Sequence, residues 1–294
     1  MQLVLFQESR TPTQDVRPFR TQLLKWVGNK QRFAHEIASL LPSDVRTYRE
    51  PFLGSAAVMA TLAPSRAVGS DVFLPLIQIW QTLQEDPDQV KTWYAERWRR
   101  AAKANKVEGY ERIKASYNHH PNPADLLFIC RSCYGGVVRF RKADGYISTP
   151  CGVHQPISPE SFSRRVDRWH RRLDGAEFRH MDYREAMSLA QPGDVVYCDP
   201  PYSDSQAILY GAQAFRLPEL LEAIADCKRR GVFVALSIDG TKRSGKHRCD
   251  LSIPDGLFER EVFVNCGRSM LKRFQMNGLS LEDHVVADRL LLTY

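Results

Sequence analysis

Tyr48-Arg49-Glu50-Pro51-Phe52-Leu53-Gly54-Ser55-Ala56 is the stretch that decides the reading of this 294-residue chain. Tyr48 to Leu53 reads as a short strand entering a Gly/Ser turn at Gly54-Ser55, and Ala56 to Leu62 as a helix stopped by Pro64. Ala67-Val68-Gly69-Ser70-Asp71 is then a second strand ending in an acid, and Leu74 to Leu83 is again helical. Strand, tight turn, helix, strand is the opening unit of a doubly wound sheet. Upstream, Arg17 to Leu41 reads as a turn and an amphipathic helix with Phe33, Ile37, Leu40 and Leu41 on one face, and residues 1–16 as a loose leader. Downstream, alternation resumes at the strand Asp194–Cys198, passes through a helix near Pro218–Arg230, and reaches the strand Val232–Ile238. The apolar stretch Val285–Tyr294 is a last strand.

Between the two runs of alternation lies a basic block. Residues 86–172 hold 17 Lys and Arg against 9 Asp and Glu, a net +8, whereas the rest of the chain holds 24 against 25. The whole excess of the +7 chain therefore sits in one internal module. Trp93, Tyr94, Trp98, Tyr110, Tyr117, Tyr134 and Trp169 are interleaved with it, and basic residues among aromatics suit a polyphosphate with stackable bases.

Hydrophobic residues at 43% and charged residues at 26% are the mixture of a folded globular protein. No apolar run approaches the roughly 18 residues of a membrane helix. Met1–Arg10 lacks a basic leading region, so a secretory signal is not expected. Seven irregularly spaced cysteines make no disulfide framework and fit a reducing cytosol.

Two constellations carry chemistry. The first is Glu50–Ala56 with Asp71: a tight turn lets backbone approach a ligand, and an acid ending the next strand can receive ribose hydroxyls. The second is Asp199-Pro200-Pro201-Tyr202, directly after a buried strand. Two prolines cannot continue the ladder, so an acid and an aromatic ring emerge at the carboxyl edge of the sheet. Methylation of an exocyclic amine needs these types. Asp199 and the Pro200 carbonyl can hold the amine hydrogens and favour sp³ character, while Tyr202 stacks on the base.

On these residues the chain resembles the DNA adenine methylase (Dam) family of adenine-N6 methyltransferases, from about Phe19 to Tyr294. Leu24–Lys30 is similar to its KWxGxK motif, Glu50–Val58 to its EPFxGxGxV, Ser70-Asp71 to its ribose acid, and Asp199–Tyr202 to its DPPY. Cys130–Phe140, Gly145 and Pro150–Gly152 resemble its DNA-recognition hairpin, and Ser237-Ile238-Asp239 its SNHD-like strand end. The resemblance implies a Rossmann-like α/β fold of seven mainly parallel strands. It implies a catalytic domain over 17–85 and 173–294, with an inserted, mainly helical target-recognition domain over 86–172. It further implies S-adenosyl-L-methionine held by Trp26, Lys30, Phe52, Gly54, Asp71, Asp182 and Asp199, with Asp199, Pro200, Pro201 and Tyr202 catalytic. Double-stranded DNA would meet Tyr134, Arg139, Arg141 and Lys142 on the hairpin, with Arg139 at a guanine edge. Arg164, Arg165 and Arg168, with Arg171 and Arg172, lie on helical spacing suited to phosphates. The target adenine would flip out of the duplex.

The chain departs from the pattern at Ala56, where the family has its second Gly, at Phe73, where it has Asn, and in a hairpin one residue longer before Gly145. Cys130, Cys133, Cys151 and His154 have the types and spacing of a zinc ribbon, but the family keeps this hairpin without them, and no metal is expected. Cytosine-N4 methylation, an RNA substrate and a non-catalytic DNA-binding module stay open beside the adenine reading. A restriction, defence or epigenetic setting, with cognate restriction or defence-system proteins as possible partners, also stays open.

Overall fold

The computed structural model describes residues 13–201, 215–239, 241–242, 247–248, 253–268 and 285–294. Tyr202, the last residue of the DPPY motif, and residues 1–12 of the expected leader lie outside that set. Residues 13 and 14 are not loose. Thr13 N–H donates to the Ser39 carbonyl at 2.7 Å, and Gln14 Nε2 reaches the carbonyls of Ala38 and Leu41.

The opening unit forms as its residues dictate. β1 (Tyr48–Glu50) stops where Pro51 removes a donor, three residues before the expected end. α2 (Ala57–Leu62) begins one residue late because Ala56, its N-cap, sits in the left-handed region at φ 52°. β2 (Ala67–Asp71) follows as expected. Upstream, α1 (Ala34–Ser39) buries the Phe33, Ile37, Leu40 and Leu41 face.

β1 and β2 belong to a seven-stranded sheet with β3 (Ala176–His180), β4 (Val195–Cys198), β5 (Phe233–Asp239), β8 (Arg260–Arg268) and β9 (Val285–Leu292). A small antiparallel pair, β6 (Thr241–Lys242) with β7 (His247–Arg248), stands apart. The order is β3-β2-β1-β4-β5-β9-β8. β3, β2, β1, β4 and β5 are mutually parallel, and β9 runs antiparallel to both β5 and β8. This is the expected mainly parallel, doubly wound α/β sheet. Chain order reverses between β1 and β4, which opens a crevice at their carboxyl ends.

Helices cover the sheet. α3 (Leu74–Glu85) packs on β2 and β3, while α8 (Tyr183–Ser188) and α9 (Leu217–Arg229) pack against each other, α8 also meeting β2 and α9 β5. Between α3 and β3 the basic block folds as α4 (Pro87–Lys103), α5 (Lys106–His119), α6 (Pro123–Ser132), a hairpin-like ribbon and α7 (Pro159–Arg172). Its helix starts are capped by Asp86, Asn105, Asn122 and Ser158, each accepting a backbone N–H three residues on. Three of these helices carry Pro in the first turn.

The expectation that this block's aromatics await bases is overturned. Tyr94, Tyr110, Tyr117 and Trp169 are buried, and Trp93 and Trp98 pack half-buried against the same core. Tyr94 stacks on Phe162 at 4.0 Å, and Trp80 of α3 stacks on Trp169 at 5.4 Å. The rings turn inward to fill one continuous core that also holds Phe19, Trp80 and Phe178. Tyr134 is the exception, exposed on the ribbon.

Candidate active site

The crevice holds a cavity of about 210 Å³. Its wall comes from the 26–30 segment, the β1–α2 turn, the end of β2, the residues after β3, those after β4, and Phe215. All seven residues expected to bind a cofactor, Trp26, Lys30, Phe52, Gly54, Asp71, Asp182 and Asp199, line it.

The β1–α2 turn is fixed by Asp71. One carboxylate oxygen accepts the Gly54 N–H and the other the Phe73 N–H, both at 3.1 Å. The Gly54 carbonyl accepts from the Trp80 indole at 3.1 Å. Gly54 has φ +47°, and a Cβ there would stand 3.2 Å from the Trp26 ring, so glycine suits the position on both counts. Ala56 holds a similar left-handed conformation with a side chain, at a strain cost.

Asp182 caps α8 through the Arg184 N–H at 2.9 Å, and the Arg184 guanidinium grips it at 2.8 Å while reaching Glu219 at 3.0 Å. Beside it, Phe52 stacks on Tyr183 with centroids 5.0 Å apart, and Phe215 meets Phe52 edge-on at 5.9 Å. These three rings pack on one another and, with Asp182 beside them, make an apolar wall of the cavity next to a carboxylate. Tyr183 and Phe215 were not picked out from sequence. Tyr183 follows a capping Asp, a local signal. Phe215 carries no such signal.

Asp199 leaves β4 beside Glu50, which ends β1. Lys30 Nζ lies 2.8 Å from Asp199 Oδ1, both side chains largely buried. The resemblance put Lys30 on the cofactor; here its ammonium meets the Asp199 carboxylate. Pro201 also lines the cavity. Glu50 is 3% exposed and had no assigned role. Burial pushes its carboxyl up to about 8, the Asp199 carboxylate adding to the rise and the Tyr48 hydroxyl and Met59 N–H opposing it.

The basic residues divide. Arg139, Arg141 and Lys142 are exposed on the ribbon, which is held by antiparallel backbone pairing of Cys133 with Cys151, both free thiols, and of Phe140 with Ile147. Arg141 pairs with Asp144 and lies 5.2 Å from the Tyr146 ring centre. Thr149 accepts the Arg139 N–H at 2.8 Å, which fixes the backbone and leaves the guanidinium outward. On α7, Arg164, Arg168 and Arg171 are exposed, but Arg165 is half-buried and donates to the Gln22 carbonyl at 2.8 Å. Arg172 lies over Phe19 at 5.0 Å. Cys130 is wholly buried in α6, and its thiol is pushed far up by burial, whereas His154 is exposed. Among the described residues no group of three His, Cys, Asp or Glu side chains is arranged to hold a metal. No helix among them is long and apolar enough to cross a membrane.

Several known proteins are similar to this chain. The chain is 32% identical over 189 residues to the retron Ec67 DNA adenine methylase of Escherichia coli, covering 61% of this chain and 63% of that one. It is 28% identical over 252 residues to a DNA N-6-adenine-methyltransferase of Escherichia phage P1, 79% of this chain but 32% of the relative. The match thus spans less than two thirds of either relative. A DNA adenine methylase of Vibrio cholerae is 28% identical over 73% of this chain and 79% of its own. An rRNA methyltransferase structure from Streptomyces viridochromogenes superposes with a TM-score of 0.40 at 14% identity, over 89% of this chain and 83% of its own. With the strand order, the crevice acids and a family model matching residues 26–245 all in agreement, this chain belongs to the D12 class N6 adenine-specific DNA methyltransferases.

Proposed function

We propose that this protein transfers a methyl group from S-adenosyl-L-methionine to the N6 amine of an adenine flipped out of duplex DNA. The observation that carries this reading is the convergence of Asp71, Asp182, Asp199 and the Phe52–Tyr183 stack on one cavity at the reversal of strand order. The residues fit such a cofactor. Asp71 stands against a glycine turn where two vicinal hydroxyls can approach, the aromatic wall beside Asp182 suits an adenine, and the acidic lining suits a cation. When bound, the cofactor supplies a methyl group activated by its sulfonium.

The chain's own residues do the rest. Asp199 accepts hydrogen bonds from the target amine rather than acting as a strong base, since that amine becomes acidic only once alkylated. Lys30 keeps the Asp199 carboxylate oriented. The Pro200 carbonyl takes a second amine hydrogen, and Tyr202, outside the described residues, stacks on the base. Residues 17–85 and 173–294 carry the transfer, and 86–172 recognise the target. Within that module, Arg139, Arg141, Lys142 and Tyr134 on the ribbon face the grooves, and Arg164 and Arg168 face phosphates. Arg165 serves less directly, through the Gln22 segment.

The test is nucleoside mass spectrometry on duplex DNA and duplex RNA incubated with the protein and cofactor. N6-methyldeoxyadenosine in DNA is the expected product. N4-methyldeoxycytidine, or methylation confined to RNA, would overturn the reading.

A further inference from the structure

Glu50 ends β1 at the floor of the cavity, and the groups around it are of a particular kind. Its Oε2 accepts two hydrogen bonds, from the Tyr48 hydroxyl at 2.9 Å and from the Met59 N–H of α2 at 3.1 Å. Both donors are neutral. The residue itself lines the cavity. The charged groups facing it are Asp199 at the end of β4 and, paired with Asp199, Lys30 from the 26–30 segment. Asp71 at the end of β2 lines the same cavity. The neighbouring Tyr48 hydroxyl and Cys198 thiol are held neutral by burial. Among the described residues, the Lys30 ammonium in this cavity is therefore already paired with another carboxylate, and a second negative charge beside Asp199 is disfavoured.

We infer that Glu50 reads the charge of the ligand in this cavity, keeping its proton beside a neutral thioether and releasing it beside a cationic sulfonium. The inference rests on the cofactor reading above. A methyl donor and its demethylated product differ by one methyl group and one positive charge, so shape alone discriminates them weakly. A buried carboxyl that ionises only against a cation adds charge to what the site can distinguish. The balance is simple: binding the sulfonium frees one proton from Glu50 to solvent, and transfer of the methyl group away allows a proton to return. With its carboxyl near 8 in the free protein, Glu50 is mostly protonated at pH 7, so the exchange falls within the physiological range.

Calorimetric titration of the full chain with S-adenosylmethionine and with S-adenosylhomocysteine tests this. The runs are made at pH 6 and pH 8.5, and at pH 7 in two buffers of different ionisation heat. The ratio of product to cofactor dissociation constants should rise about a hundredfold or more from pH 6 to pH 8.5 in the native chain. At pH 7 the cofactor should release more protons on binding than the product does. Glu50→Gln copies the protonated form and should flatten both differences while leaving product affinity unchanged. A pH-independent ratio in the native chain, or a slope that persists in Glu50→Gln, overturns the inference while the cofactor reading stands. If neither ligand binds at millimolar concentration, both fall. Should Glu50→Gln fail to fold, equal proton release by the two ligands in the native chain still refutes it.

Discussion

Replacing Glu50 by Gln should change how stability depends on pH, by an amount the structure sets. The Glu50 carboxyl is 3% exposed and is pushed from an ordinary 4.5 up to about 8, chiefly because burial penalises its charged form. Above pH 4.5 the unfolded chain gives up this proton while the folded chain keeps it. The folded state then binds more protons than the unfolded state, so stability falls as pH rises, and the loss levels off above about pH 8. At 1.36 kcal/mol per tenfold change in proton affinity, the loss between pH 5 and pH 8.5 comes to about 4 kcal/mol. The substituted amide would keep an acceptor for the Tyr48 hydroxyl and the Met59 N–H, and it carries no charge to bury. The variant should therefore gain on the native chain by about that amount as pH rises, which is a large share of a typical folding free energy. Urea unfolding of both chains at pH 5 and pH 8.5 measures it, with the difference between chains cancelling every other titrating group. A difference that stays constant across that range would refute the reasoning, because Glu50 would then be ionised, or solvated, in the folded protein.

Other consequences are as specific. Asp199→Ala should abolish methyl transfer and, by taking this partner from the buried Lys30 ammonium, lower the melting temperature; turnover near the native rate would remove Asp199 from the chemistry. Arg139→Ala should relax base preference at one position, an effect of about 1–3 kcal/mol, whereas Arg168→Ala should weaken every duplex alike and lower the salt slope. A panel of duplexes varied singly, read at two salt concentrations, separates them; uniform loss with Arg139→Ala would mean the ribbon register is wrong. Ala56→Gly trades a buried methyl for relief of left-handed strain and should cost at least about 1 kcal/mol less than Ala60→Gly in the interior of α2. Equal losses in chemical denaturation would show that the Ala56 backbone is unstrained.

What the sequence determined by itself is local. Pro51, Gly54 and Pro64 punctuate the β1–α2 unit through backbone geometry that acts within a few residues, and Asp86-Pro87, Asn122-Pro123 and Ser158-Pro159 mark helix starts in the same way. The turn with Asp71 and the acid before Pro200 were readable as a ligand crevice because an α/β sheet offers its carboxyl edge to ligands. The edge strands β3 and β8 were not readable, and neither was the short helix α8. Ala176–His180 is exposed at alternate residues, and Val262 and Val264 alternate with less buried neighbours, so neither forms the apolar run that marks β4. Only the tertiary structure decided the rest. It turned the aromatics of the basic block inward, into one core shared with Phe19, Trp80 and Phe178, because large rings gain most where segments from the whole chain bury them together. It set Lys30 against Asp199, two residues far apart in the chain, and placed Glu50 beside them with no cation of its own among the described residues. Charge, burial and proton affinity at such a point depend on which distant segments meet there, and no spacing within the chain encodes that meeting.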